Sequence, residues 1–278
     1  MDIYVPNKRL WIPDNTIADS LASPPAISRM IAYNKHIRCL TPHRVMMGAA
    51  GSGIPGDETS YAFDGTGDFL SVPDHAFFDP GSAAFCGEVW VYANNVTGNQ
   101  TIISKRASNS IADGYLVVLE GSAIKFYASS NGSGWDIASG VSIGTMSVTT
   151  WTHLAFSRAS ASNILLFNGG SLINTVTTSA TINANSDLLR IGGDSSGGNS
   201  FDGNVDEARL SDIDRHPSGF TPSTNQFSSD GNTGFLLHCG ETKTGTTGSN
   251  ATSTDSGNIG HTVTENGNAI EDTVTYKI

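Results

Sequence analysis

Residues 201–210, with the sequence FDGNVDEARL, decide the fold of this chain, because a matching stretch lies far upstream. That stretch, SYAFDGTGDFLSVP at residues 60–73, also joins an alternating apolar segment to an aspartate followed by glycine. Alternation with a period of two predicts a half-buried β-strand, and the glycine predicts a turn. Each stretch is therefore predicted to be a strand beside a glycine turn.

The composition of the 278 residues favours an all-β protein. Hydrophobic residues make up 38% of the chain and charged residues 15%, and there are 31 glycines. This balance suits many short strands joined by tight turns, in which glycine supplies positive φ angles. Turns at residues 120–122 (Glu-Gly-Ser) and 168–170 (Asn-Gly-Gly) predict hairpins. We therefore expect a two-sheet antiparallel sandwich.

By alternation, four aromatic residues are expected to point into its core: Trp90, Trp151, Phe126 and Phe156.

Four further motifs lie between the two stretches: EVWVY at residues 88–92, WTHLAF at 151–156, ILLFNG at 164–169 and LRIGG at 189–193. In order and spacing, the motifs together resemble a laminin-G-like domain of the concanavalin A-like lectin/glucanase fold, over residues 57–228. The resemblance implies an antiparallel two-sheet jelly-roll sandwich, similar to modules of tailed-phage virion proteins. It does not imply one function, because this fold hosts binding proteins, enzymes and structural proteins.

The segment of residues 1–56 differs from the rest of the chain. It holds six prolines, and its six basic side chains outnumber three acidic ones, whereas the remainder is strongly acidic. Prolines interrupt helices and strands, and the glycine-rich residues 48–53 have the composition of a linker. We predict an extended arm that anchors the protein to a partner. Its apolar side chains are the expected contacts: Tyr4, Leu10, Trp11, Ile12, Ile31 and Tyr33.

Residues 229–278 contain two more strand-like segments, TGFLLH at 233–238 and HTVTENGNA at 261–269. In modules of the resembled family, such a pattern comes at the start and not at the end. We predict a permuted module, in which these strands pair beside the first ones, complete the sandwich and cover an edge that would otherwise be exposed. The alternative is that the segment is the start of a second repeat.

The loop of residues 129–136, SSNGSGWD, is the predicted glycan-binding site. A large aromatic residue in a glycine- and serine-rich loop often marks recognition. We expect Trp135, Asn131 and Asp136 to contact a sugar. The alternative is that Trp135 only folds back onto the sheet.

Acidic residues near glycine turns predict a calcium site, because calcium binds carboxylate and carbonyl oxygens. The candidate ligands are Asp64, Asp68, Asp202 and Asp206, with Asp194 as a further candidate. The alternative is that Asp64 and Asp202 only shape their turns. No other cofactor is expected, and none is required. The three cysteines, Cys39, Cys86 and Cys239, lack metal-ligand spacing.

An enzymatic function is not expected. Glycoside hydrolysis needs two carboxyl groups that face each other across a cleft. The comparable cluster is Asp202, Asp206 and Glu207. Because Asp206 and Glu207 are adjacent, strand geometry predicts that they point to opposite faces.

The sequence as a whole predicts a non-enzymatic structural protein on the exterior of a phage particle, as a capsid decoration or a tail or fibre component. A net charge of -11 argues against nucleic-acid binding, and no apolar run is long enough for membrane insertion. We expect synthesis in the host cytoplasm without a signal peptide. The expected partners are other virion proteins, contacted through residues 1–56, and a host surface glycan. We also expect a homo-oligomer. The alternatives are a glycan-binding adsorption protein or a bacterial surface lectin, with a polysaccharide hydrolase third.

Overall fold

The computed structural model describes residues 59–108, 111–195, 198–239, 244–246 and 249–272, together with residues 275 and 277. Within these ranges the chain forms seventeen β-strands and one short 3-10 turn, Ala76–Phe78. A search of the same ranges for a helix of membrane-spanning length and hydropathy finds none. The predicted anchoring residues lie outside the described ranges: Tyr4, Leu10, Trp11, Ile12, Ile31 and Tyr33.

The strands are numbered in chain order. The first nine are β1 (Ser60–Asp64), β2 (Phe69–Val72), β3 (Phe85–Ala93), β4 (Asn99–Lys105), β5 (Tyr115–Glu120), β6 (Ala123–Ala128), β7 (Ala138–Thr145), β8 (Trp151–Arg158) and β9 (Ile164–Asn168). The other eight are β10 (Ser171–Val176), β11 (Leu189–Ile191), β12 (Asp202–Ser211), β13 (Thr233–Leu237), β14 (Thr244–Thr246), β15 (Ser249–Thr254), β16 (Thr262–Asn266) and β17 (Ile270–Asp272).

The strands form two sheets with antiparallel pairing. Sheet A has the order β10-β9-β8-β3-β12-β1-β17, with β13 also paired to β12, and sheet B has the order β14-β15-β16-β2-β11-β4-β5-β6-β7. Apolar side chains from both sheets form one buried cluster, to which β6 contributes Phe126 and β8 contributes Phe156. The predicted all-β, two-sheet antiparallel sandwich is confirmed.

The chain passes from sheet A to sheet B through a tight turn that begins at Gly65. Asp64 of β1 pairs with Asp202 of β12, and Gly65 has a φ of +81°. A Cβ atom at Gly65 would lie 3.1 Å from the Cβ of Asp202. The conformation and the lack of space both favour glycine, so this turn fixes how β1 lies against β12.

The C-terminal strands lie beside the N-terminal ones in both sheets. In sheet B, β16 pairs with β2 and places Asn266 opposite Phe69. In sheet A, β17 pairs with β1 and places Ile270 opposite Ala62, while β13 pairs with the second half of β12. Residues 233–272 therefore contribute strands to both sheets.

The outer face of sheet A is covered by residues 212–232, the connection between β12 and β13, which we term the strap. Alternation along β3 places Val89 in the core and Trp90 on the outer face, against Phe227 of the strap. Trp151 of β8 packs against the same outer cluster. The expectation that Trp90 and Trp151 point into the core between the sheets is therefore wrong. Period-two alternation assigns residues to two faces, but in sheet A both faces are covered.

Candidate functional site

The loop between β6 and β7 is shaped by hydrogen bonds between its own residues. The carboxylate of Asp136 accepts a hydrogen bond of 2.8 Å from the backbone N–H of Ser130 and another from its hydroxyl. The side-chain oxygen of Asn131 accepts bonds from the N–H groups of Ser133 (2.8 Å) and Gly134 (3.0 Å). The bonds from Ser130 lower the pKa of Asp136, so this exposed carboxylate stays ionised. Both polar side chains of the predicted site therefore order the loop.

Trp135 and Tyr127 form an aromatic corner on the surface of sheet B. Their ring centroids are 5.3 Å apart, their planes meet at 55°, and both side chains are partly exposed. The guanidinium carbon of Arg106 lies 5.9 Å from the centroid of the Trp135 ring. The Tyr127 hydroxyl donates to Glu120, and burial together with this bond raises the pKa of Tyr127 to about 12. Trp135 thus packs on the sheet and still presents part of its ring to solvent.

Three of the predicted calcium ligands lie at one rim of the sandwich. Asp64 pairs with Asp202, and the carboxylate of Asp68 accepts the N–H of Asp64 at 3.0 Å. Asn268 donates its backbone N–H to Asp68 (2.7 Å) and its side-chain amide to Asp64 (3.1 Å), while Asn94 donates to Asp202 (3.0 Å). Burial raises the pKa of Asp68. Each of these carboxylates is thus bonded to amide groups of its surroundings.

The other two calcium candidates are engaged elsewhere. Asp206 lies opposite Trp90 and accepts the backbone N–H of Lys277 at 3.1 Å, and the buried Asp194 forms an ion pair with Arg106. Within the described residues, no three of the candidate carboxylates approach one another within 4.8 Å. The calcium site therefore stays a prediction, with Asp64, Asp68 and Asp202 as the subset that the fold brings to one rim.

Asp206 and Glu207 both project from the outer face of sheet A, which contradicts the expected alternation. A β-bulge follows Asp206, and Glu207 has a φ of +49°. The flanking residues Val205 and Ala208 both point into the core. The Glu207 carboxylate accepts the N–H of Phe227 in the strap at 2.6 Å. The two carboxylates are thus bonded to covering segments on one face, unlike the opposed pair that a glycosidase uses.

Glu88, in the middle of β3, holds the most connected carboxylate of the outer face, and the sequence analysis missed it. Its side chain is 2% exposed. Oε1 accepts hydrogen bonds from Arg209 Nε (2.9 Å) and Nη2 (2.6 Å). Oε2 lies 3.0 Å from His216 Nε2 and 3.3 Å from His153 Nε2. Burial acts to raise the pKa of Glu88, but the neighbouring imidazoles of His153 and His216 and the Arg209 charge hold it well below its usual range.

A cavity of about 370 Å³ lies above Glu88 and is lined by residues of sheet A and of the strap. His216 stacks on Phe220 with centroids 3.6 Å apart and planes at 6°. Arg209 lies over the ring of Phe227, 4.3 Å from its centroid. The cavity therefore combines a buried carboxylate with aromatic walls that the strap supplies. The signal for it in the sequence is a single glutamate in an otherwise apolar strand segment.

Comparison with known proteins places the chain in a family. A family model described as the concanavalin A-like lectin/glucanases superfamily matches residues 64–219. No curated protein sequence matches the chain.

One of the solved structures shows a related fold. A candidate carbohydrate-binding protein of Bacteroides ovatus aligns with a TM-score of 0.60 at 14% identity, covering 79% of this chain and 61% of that one. The heptameric SAP-like pentraxin of Limulus polyphemus aligns with a TM-score of 0.39 at 14% identity, covering 56% of this chain and 76% of the pentraxin. The binding domain of Botulinum neurotoxin DC, in complex with SialylT, gives a TM-score of 0.38 at 12% identity, covering 56% and 39%.

Proposed function

Since the chain belongs to the concanavalin A-like lectin/glucanase superfamily, we propose that it is a carbohydrate-binding module without hydrolase activity. The observation that carries the proposal is the aromatic corner of Trp135 and Tyr127, which is held at the surface by a self-bonded loop. The Bacteroides ovatus protein, described as a candidate for carbohydrate binding, shares the fold and supports the same class of function.

The aromatic corner matches the two-sided chemistry of a sugar ring. A pyranose presents C–H groups on its faces and hydroxyls around its edge, so an aromatic face with polar groups beside it satisfies both. Here the Trp135 ring offers the face, and the exposed carboxylate of Asp136 follows it directly in the chain. The hydrogen bonds within the loop preorganise the site, which reduces the entropy that binding must offset.

Binding without cleavage is supported by the acidic residues of the outer face. The carboxylates of Asp206 and Glu207 accept hydrogen bonds from the backbone of Lys277 and Phe227. Glu88 is held ionised by Arg209 and the two histidines, so it is a poor general acid.

The experiment compares wild-type protein with Trp135→Ala on a glycan array, followed by calorimetry on the strongest binder. Loss of the Trp135 ring is expected to weaken binding about tenfold or more. Trp151→Ala is the matched control, because Trp151 forms a similar partly exposed pair with Tyr92, with centroids 5.5 Å apart and planes at 51°. Equal losses in both variants, or no array signal at all for the wild type, would contradict the proposal.

We propose the exterior of a phage particle as the setting in which this module works. The support is the sequence of residues 1–56, an apolar, proline-interrupted segment suited to lying along a partner. Particles assembled with a chain that lacks residues 1–56 are expected to be depleted of the protein, whereas Trp135→Ala should be incorporated normally. Undiminished incorporation of the truncated chain would rule out the anchoring role.

A further inference from the structure

The outer face of sheet A brings a cysteine, a carboxylate and an imidazole together beneath the strap. Cys86 and Glu88 are two residues apart on β3, so their side chains share a face. Ala155 of β8 lies opposite Glu88. His216 of the strap enters this region, with Nε2 3.0 Å from the Glu88 carboxylate.

We propose that Cys86, Glu88 and His216 bind a zinc ion that fastens the strap to sheet A. Their ligand atoms all lie within 4.8 Å of one another, and within the described residues this is the one group of metal-binding side chains with that property. His153 Nε2 lies 3.3 Å from the same Glu88 oxygen as His216, beside this group of three but outside it. The proposal goes beyond carbohydrate binding and does not depend on it.

The donor set selects zinc over calcium. Zinc binds thiolate sulfur, imidazole nitrogen and carboxylate oxygen in sites of four ligands. Calcium binds oxygen ligands, six to eight at a time, and a buried cysteine cannot serve it. Cys86 and Glu88 are both buried, and the His216 side chain is 13% exposed, so the site is shielded as a structural zinc site requires.

The groups around the proposed ligands act as an outer shell. Arg209 binds Glu88 Oε1 with two nitrogens, which leaves Oε2 turned towards the imidazoles. Ser157 accepts the backbone N–H of His216 at 3.3 Å and donates its own hydroxyl to Asp214 at 2.5 Å. Such partners orient ligands and are a regular part of metal sites.

The charges of the filled site balance. Zinc brings two positive charges and Arg209 and Arg215 one each, while Glu88, the Cys86 thiolate, Asp214 and Asp230 supply four negative ones. Binding therefore exchanges the thiol proton for the metal ion without leaving a net buried charge.

The cavity above Glu88 gives the ion a route to the site. It is lined by Glu88, Arg209 and His216 and has a volume of about 370 Å³, enough for a hydrated ion. Once bound, the ion would connect β3 to the strap and so restrict the segment that carries Phe220 and Phe227.

The test measures metal in the full-length protein and in single variants. All proteins carry Cys39→Ser, so that the thiols are those of Cys86 and Cys239. Protein purified with zinc is expected to hold one zinc ion per chain by plasma mass spectrometry, and cobalt substitution should give a thiolate-to-cobalt charge-transfer band with intense tetrahedral d–d bands. Zinc should also raise the thermal midpoint.

Two variants and one matched control decide between a specific site and general thiol binding. Cys86→Ser and His216→Gln are each expected to weaken zinc binding more than about 100-fold, beyond the 10- to 100-fold effect typical of outer-shell residues. Cys239→Ser, which removes the other buried thiol, should leave the zinc content and the cobalt spectrum unchanged. His216→Gln keeps the test valid if Cys86→Ser fails to fold. Metal-free wild-type protein with no cobalt band, or an unchanged spectrum in His216→Gln, would overturn the proposal.

Discussion

Arg215 and Asp230 lie near opposite ends of the strap and are joined by two parallel hydrogen bonds, from Nη1 (3.0 Å) and Nη2 (2.7 Å) to the two carboxylate oxygens. Arg215 also bonds Ser211 of β12 and Thr233 of β13. One guanidinium therefore ties the strap to itself and to the two strands that it connects.

The Arg215–Asp230 pair predicts an acid-sensitive strap. The hydrogen bonds from Arg215 lower the pKa of Asp230. A carboxyl group whose folded pKa is lowered contributes stability above its unfolded pKa of about 4 and loses that contribution as the pH falls through the folded pKa. Asp230→Asn is thus expected to be less stable than wild type at pH 7, with a difference that shrinks below about pH 4.

Urea unfolding at several pH values measures that difference. Asp212→Asn is the matched control, because Asp212 is an exposed acidic residue of the same strap. It should track the wild type at every pH. A constant gap between Asp230→Asn and wild type down to pH 2 would show that the pair does not titrate as described.

At Glu207, the cost of backbone strain can be measured separately from the loss of the side-chain contacts. Its φ of +49° is unfavourable for any residue except glycine, and its carboxylate bonds the N–H of Phe227. Glu207→Ala keeps the strain and loses both this bond and the contact with His238 Nδ1 at 2.6 Å, which together are expected to cost about 2 to 4 kcal/mol. Glu207→Gly loses the same contacts but relieves the strain, so it should be about 1 kcal/mol more stable than the alanine variant. Equal stabilities by chemical denaturation would mean that the bulge carries no strain.

The C-terminal strands predict a large effect of truncation. A chain ending at residue 228 lacks β13, β16 and β17, which pair with β12, β2 and β1. Their removal exposes edges of three strands and part of the core, including Phe235 and Val263. We expect a lower thermal midpoint and a loss of cooperative unfolding in calorimetry. An unchanged melting curve would show that these strands add nothing to the stability of the body.

The sandwich could be predicted from the sequence because its strands alternate and its turns require glycine. Gly65 illustrates the strength of the signal, since both its φ and the nearby Asp202 side chain exclude larger residues. The orientation of Trp90 could not be predicted in the same way. Alternation places Trp90 and Val89 on opposite faces of β3. The outer face is also buried because the strap covers it, and the strap has no periodic pattern that would predict this.

The outer-face cluster could not be predicted because its members are far apart in sequence. Glu88 meets Arg209 and His216 across 121 and 128 positions, and no local spacing motif links them. The shared face of Asp206 and Glu207 could not be predicted for a different reason. A β-bulge after Asp206 interrupts the alternation, so both side chains lie on the outer face. The loop of residues 129–136 is the opposite case, because Asn131, Trp135 and Asp136 are close in sequence and lie in one loop of the fold.

The measurement that tests the central claim most directly is a ¹H–¹⁵N spectrum of the indole N–H groups during titration with a glycan identified on the array. The chain has four tryptophans, and the signal of Trp135 can be assigned with Trp135→Phe. The account predicts that the Trp135 signal shifts on binding, while those of Trp90 and Trp151 on sheet A stay in place. A titration that shifts Trp151 and leaves Trp135 unmoved would contradict the proposed site, and one that shifts none of them would contradict carbohydrate binding at either aromatic pair.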